Sequence, residues 1–184
     1  MRRLSLSLLL LLATTALAAT ETAKSYKLIA VEDGDTLIVQ IGTQEKRLQL
    51  SGIDAPEDVT NPKLVKDLGR TGLSEETLLM LGKQATDYLK QLVLPGAKLR
   101  ITGNLDSSDK YGRIPVVIYS DNHSSLNERM VADGYAVVMS KAILEPSLKQ
   151  QLLQSQQQAQ NSRWGLWGQH RQPALLWSGQ ATNQ

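Results

Sequence analysis

Three stretches of apolar–polar alternation between Tyr26 and Ile53 constrain this chain more than any other feature. Tyr26 to Val31 opens the pattern, Thr36 to Ile41 carries Leu37, Val39 and Ile41 on one side, and Glu45 to Ile53 sets Leu48 and Leu50 against Arg47 and Gln49. Side chains two apart share a face of a strand, so these segments predict a half-buried antiparallel meander that turns at Gly42-Thr43-Gln44. Lys98 to Thr102 and Ile114 to Tyr119 predict two further strands, joined by the polar segment from Gly103 to Arg113.

Helical periodicity fills most of the remainder. Ser74, followed by Glu75 and Glu76, caps a helix whose stripe is Leu78, Leu81, Ala85, Tyr88, Leu89 and Leu92 and which Pro95-Gly96 ends. Ser125 and Glu128 stand in capping-box spacing ahead of Met130 and Val131, with Gly134 as the stop and a short extended segment from Tyr135 to Met139. A third helix is expected between Pro146 and Arg163, with Leu148, Leu152 and Ala159 on its apolar side and Gln156 to Gln158 facing solvent. Asp58 to Leu73 has no period and contains Asn61-Pro62, Gly69 and Gly72, which predicts a long mobile loop. The expected class is mainly β with helices (α+β): five strands and about three packed helices, as an OB-type Greek-key barrel or an open α+β sheet. Strand counting does not choose between them.

Met1-Arg2-Arg3, an apolar run from Leu8 to Leu12 and then Ala16-Leu17-Ala18-Ala19 have the layout of a secretory signal peptide, so 1–18 is excluded from the fold. The apolar core is too short to span a bilayer. Export to the periplasm or beyond the cell is expected, with no membrane anchor once the leader is removed. The chain carries 20 Lys plus Arg and 18 Asp plus Glu, and losing Arg2 and Arg3 makes the balance even. Bulk charge therefore neither supports nor excludes a nucleic-acid partner, which requires only a local positive groove. The chain has no cysteine, which excludes a disulfide framework and thiolate-bound zinc. One packed domain over 24–168, a monomer, is expected, followed by a polar, disordered tail at 169–184 in which Trp177 alone makes a contact.

Two acidic motifs carry the chemistry. Asp33-Gly34-Asp35-Thr36 enters the second strand and Asp54-Ala55-Pro56-Glu57 follows the third, so neighbouring strands bring Asp35 and Asp54 together. Two close carboxylates call for a cation, and hard divalent ions take oxygen ligands. Asp109-Lys110-Tyr111-Gly112-Arg113 reads as a turn whose Arg113 presents a planar fork of donors suited to phosphate. His123 and His170 have no partner at metal-ligand spacing and read as surface residues. Trp164 and Trp167 read as packing residues, while Tyr111 and Tyr135 either stack on a base or line the barrel rim.

With Leu126-Asn127, Gly134-Tyr135-Ala136 and Gly165-Leu166-Trp167 in the same order, these motifs give the chain a resemblance to the staphylococcal nuclease (thermonuclease) family, from about Tyr26 to Gly168. The resemblance implies an OB-fold barrel that cuts phosphodiester bonds of DNA and/or RNA with calcium (Ca2+) as cofactor. It implies metal ligation by Asp35, Asp54 and the backbone carbonyl of Ala55, with Asp33 supporting the metal from behind. By the same carry-over Glu57 positions or deprotonates the attacking water, and Arg113 stabilises charge on the phosphoryl group.

One position departs from the family pattern, because the expected arginine five places before Asp54 is Gln49. Arginine contacts to a transferring phosphoryl group are worth roughly 10³ to 10⁵ in rate, and glutamine carries no charge. Arg47, two residues earlier on the same strand face, and Arg70 in the expected loop are the candidate substitutes. A catalytically impaired OB-fold module that binds nucleic acid is the alternative function, and a phosphodiesterase for a small nucleotide is a third.

Overall fold

The computed structural model describes residues 24–120, 125–142 and 144–180. The expected signal peptide, His123 and residues 181–184 lie outside them. The strands are β1 (Ser25–Val31), β2 (Thr36–Ile41), β3 (Gln44–Leu50), β4 (Ile53–Asp54), β5 (Lys98–Thr102), β6 (Arg113–Tyr119) and β7 (Val137–Val138). Five of them close a barrel in the order β1-β2-β3-β6-β5, with β1 also paired to β5. All barrel pairings are antiparallel except β3 with β6, which is parallel. Closure selects the OB-type barrel over the open sheet. Strand β1 reaches both neighbours because its register shifts between Leu28 and Ala30, a bulge that bends the strand. Leu28, Leu37, Val39, Leu48, Leu50, Leu99, Ile114, Val116 and Ile118 fill the interior as the alternation requires.

The third strand does not run on to Ile53. It stops at Leu50, turns through Ser51-Gly52, and Ile53-Asp54 then pairs with Val137-Val138 outside the barrel. Gly52 has φ +81°, a conformation that demands glycine, and it lies against the Leu144 side chain, 2.3 Å from where a Cβ would stand. The turn redirects the chain so that Asp54 leaves the barrel wall. Asn127, fully buried, stitches this region together. Its amide donates to the carbonyls of Ser51 and Val116, and its oxygen accepts from the Ile118 N–H.

The three expected helices are present as α2 (Glu75–Leu92), α3 (Leu126–Ala132) and α4 (Pro146–Ser162), with α1 (Pro62–Thr71), α5 (Leu166–Gln169) and α6 (Arg171–Ser178) added to them. The expected mobile loop is thus corrected to a loop that becomes α1. Asn61 caps it, its side chain accepting from the Lys63 and Leu64 N–H groups, Pro62 sits in the first turn, and Gly72 closes it at φ +67°. Asn-Pro and Gly, read from sequence as breakers, are here the start and stop of a helix. The tail is corrected as well: α6 buries Ala174 and Trp177 against Leu64, Leu78, Leu81 and Trp167 in a second core. Gln156 does not face solvent but is buried and accepts from the Val138 N–H at 2.7 Å. Of the two tryptophans expected to pack, Trp167 is buried and Trp164 is exposed. Among the described residues no helix is long and apolar enough to cross a membrane.

Candidate active site

Asp33 and Asp35 form a self-bonded turn at the head of β2, in which the Asp35 N–H donates to Asp33 Oδ1 at 2.9 Å. Asp35 is buried, accepting from the Thr36 hydroxyl at 3.1 Å and from the Ala55 N–H at 3.3 Å. The second bond fastens the first acidic motif to the second. Gly34 makes the approach possible, since a Cβ there would come within 2.7 Å of Ala55 Cβ and 2.9 Å of Ala85 Cβ. The far side of the second motif rests on α2 at Gly82, where a Cβ would fall 2.0 Å from the Glu57 carbonyl oxygen. Barrel and helix thus grip the Asp54–Glu57 segment from two sides.

The oxygens so gathered converge on the ammonium of Lys63. Its Nζ lies 3.2 Å from Asp54 Oδ1 and 2.7 Å from Glu57 Oε1, and it donates to the Ala55 carbonyl at 3.1 Å. Asp67, on the next turn of α1, stands 3.9 Å away. The second oxygen of Glu57 accepts from the Asn61 side-chain amide, so one asparagine both caps α1 and orients the carboxylate. In the sequence Asn61 reads as a chain breaker, and nothing marks Lys63 as a site residue. Their only signal there is the Asn-Pro helix start, which places both in the first turn of a helix directly after the acidic motif.

Burial pushes the Asp35 carboxyl up to about 8, with the neighbouring charges of Asp33 and Asp54 adding to it. Burial likewise raises Asp33 and Asp54, in Asp54 against the pull of Lys63. For Lys63 burial works downward but is outweighed by Asp54 and Glu57, and its ammonium is held above the usual range. Burial, more than neighbouring charge, is what raises these carboxyls, and Lys63 is the cation that opposes the rise in Asp54.

This donor set has the chemistry that calcium takes: carboxylate and carbonyl oxygens around a point where a positive charge already stands. Asp54 and the Ala55 carbonyl touch that point directly, and Asp35 is bonded to the same segment through the Ala55 N–H. Among the described residues no group of three His, Cys, Asp or Glu side chains is arranged to hold a metal ion by itself, so the backbone carbonyl and solvent would have to complete the shell.

Arg113 opens β6, and its Nε and Nη2 both donate to Asp109 Oδ2, at 3.1 and 2.9 Å. Its positive charge draws Asp35 downward, which puts it within electrostatic reach of the acidic cluster. Arg47 is the partner of Arg113 in the parallel register, on the outer face of β3. It is tied to Glu32 and donates to the Tyr111 carbonyl at 3.2 Å. Gln49 lies two residues on, level with Thr36 of β2 and Pro115 of β6. Arg70 does not turn toward the acids of the two motifs. It pairs with Asp67 and donates to the Trp177 carbonyl at 2.7 Å, holding α6 to α1. Tyr111 is exposed beside Arg113, Tyr135 stacks on Tyr88 at 4.1 Å between ring centroids, and His170 bonds to Gln84.

The family described as "Staphylococcal nuclease homologue" matches residues 47–169. The chain is 33% identical over 109 residues to the endonuclease YhcR of Bacillus subtilis, covering 58% of this chain and 8% of that protein. It is 29% identical over 146 residues to the thermonuclease of Staphylococcus hyicus, covering 78% of this chain and 76% of the relative. An uncharacterized protein of Methanocaldococcus jannaschii is 30% identical over 148 residues, covering 77% and 70%. A closed five-stranded barrel carrying these motifs in this order, together with a match that runs from within β3 through α5, makes the chain a member of the staphylococcal nuclease homologue family.

Proposed function

We propose that this protein is an exported nuclease, periplasmic or secreted, that hydrolyses phosphodiester bonds of DNA and/or RNA with calcium, working as a monomer through its 24–168 domain. The observation that carries the reading is the convergence of Asp54, Ala55 and Glu57 on one cation, with Asp35 bonded to the same segment. Relatives named thermonuclease and endonuclease support the reaction class.

In this reading Asp35, Asp54 and the Ala55 carbonyl hold the metal, and Asp33 fixes the turn behind Asp35. Bound calcium supplies Lewis-acid neutralisation of a phosphoryl oxygen. Glu57, oriented by Asn61, is the group that accepts a proton from water. Arg113 offers its guanidinium to the phosphoryl oxygens, held flat by Asp109 until substrate competes for it. Gln49 leaves one charge fewer on that surface than the family pattern has, which favours a slow enzyme and keeps the impaired nucleic-acid-binding module as a second reading. The two separate in one assay: digestion of DNA and RNA by purified protein, with calcium and with chelator. Chelator-sensitive cleavage that falls about 10² to 10⁴-fold in Glu57→Gln is expected of the enzyme. Calcium-independent binding without cleavage would leave the module.

A further inference from the structure

The geometry points to Lys63 as a tethered counter-cation that fills the acidic cluster when no divalent ion is bound and competes with that ion for the same oxygens. The inference rests on the proposed metal site and adds a regulating residue to it. Three contacts support it. The ammonium bridges Asp54, Glu57 and the Ala55 carbonyl at 3.2, 2.7 and 3.1 Å, and two of those three groups are assigned as metal ligands above. One of the three contacts is a hydrogen bond to the carbonyl and two are ion pairs, so charge and donor are both engaged. Its stem is anchored in the first turn of α1, whose cap, Asn61, also holds Glu57, so the side chain is delivered to the cluster by the fold rather than by chance contact of a long surface residue. At 36% side-chain exposure Lys63 is open enough to swing into solvent when displaced.

The physical consequence is a trade between affinity and stability without metal. Close carboxylates repel when nothing neutralises them, and a divalent ion gains most from such a site. A built-in monovalent charge removes that repulsion, keeps the segment folded, and makes the ion displace two ion pairs and a hydrogen bond before it binds. The site then fills only where calcium is abundant, as it is outside the cell. Lys63 is a positioning residue in this scheme, since it acts through Asp54 and Glu57.

Calorimetric titration of calcium into the purified protein and into Lys63→Met and Lys63→Arg tests this without any nuclease assay. Lys63→Met is expected to bind calcium about tenfold more tightly, the effect of removing a competitor worth one or two partly exposed ion pairs. Lys63→Arg keeps the charge and should stay within about threefold of the parent. Equal or weaker binding by Lys63→Met would overturn the competition while leaving the metal site intact. Absence of calcium binding in all three proteins would overturn both. Should Lys63→Met fail to fold, the parent protein still gives an answer through the Lys63 ammonium resonance in ¹H–¹⁵N spectra. That signal should shift or vanish as calcium saturates, and an unchanged one would sink the inference.

Discussion

Gln49 sits between Thr36 and Pro115 on the outer face of the barrel, two residues from Arg47 and beside the strand that begins with Arg113. A longer cation at that place would add charge to the surface that carries Arg113. Gln49→Arg is therefore expected to raise calcium-dependent cleavage by at least about tenfold, read as kcat on a DNA substrate. Arg47 pairs with Glu32 and donates to the Tyr111 carbonyl, so it also braces the Asp109–Arg113 turn. Asp109 is the other brace. Burial works against its charge, but the N–H groups of Arg113 and Tyr111 and the Arg113 guanidinium outweigh it and hold the carboxyl below its ordinary value of 3.8. A depressed carboxyl contributes stability that is present above the unfolded value and is lost as pH falls through the folded one. Asp109→Asn should thus be about 1 kcal/mol less stable than the parent at pH 7. The gap should close in denaturant titrations carried below pH 3.8.

Among the elements, α2 does the most to shape the site. Its buried stripe, Leu78, Leu81, Ala85 and Leu89, seats it on both cores, and Gly82 in the middle of that stripe lets the Glu57 backbone lie against the helix. An ordinary helical glycine gains about 1 kcal/mol from replacement by alanine. Here the added methyl would meet the Glu57 carbonyl oxygen at 2.0 Å and the carbonyl carbon at 2.2 Å. Gly82→Ala is expected to destabilise the fold by about 1 to 3 kcal/mol in thermal unfolding. It should also displace Glu57, so that kcat falls further than the lost stability explains. Helix α1 contributes from the other side: its first turn provides Asn61 and Lys63, and its last provides Arg70, which clamps α6.

For the molecule as a whole, the barrel is only one of two cores. The second lies between α1, α2 and the C-terminal helices, and Trp177 closes it at 4% exposure. A disordered tail would tolerate truncation after Gly168, whereas a docked helix would not. Trp177→Ala is expected to cost about 3 to 5 kcal/mol, and truncation at least as much, measured by denaturant midpoint. Because α6 holds Arg70 and α1 carries Lys63, loss of the tail should also weaken the order of the acidic cluster, seen as faster amide exchange in the first turn of α1.

Local pattern determined a good deal of this protein. Period-two alternation gave the five barrel strands, and caps such as Ser74 and Ser125 gave two of the helices, because both signals are written in residues a few positions apart. The acidic motifs were legible for the same reason. Tertiary structure decided the remainder. Barrel closure depends on β1 meeting β5, the outward course of the chain after β3 depends on Ile53-Asp54 meeting Val137-Val138, and the docking of α6 depends on Trp177 entering the core that holds Trp167, none of which is a local property. Lys63 shows the limit most clearly: in the sequence it is one lysine among many, and only when Asn61 starts a helix over the folded-back Asp54–Glu57 segment does its charge come to rest among those oxygens. Charge neutralisation acts through space, and distance in space is what the order of residues leaves open.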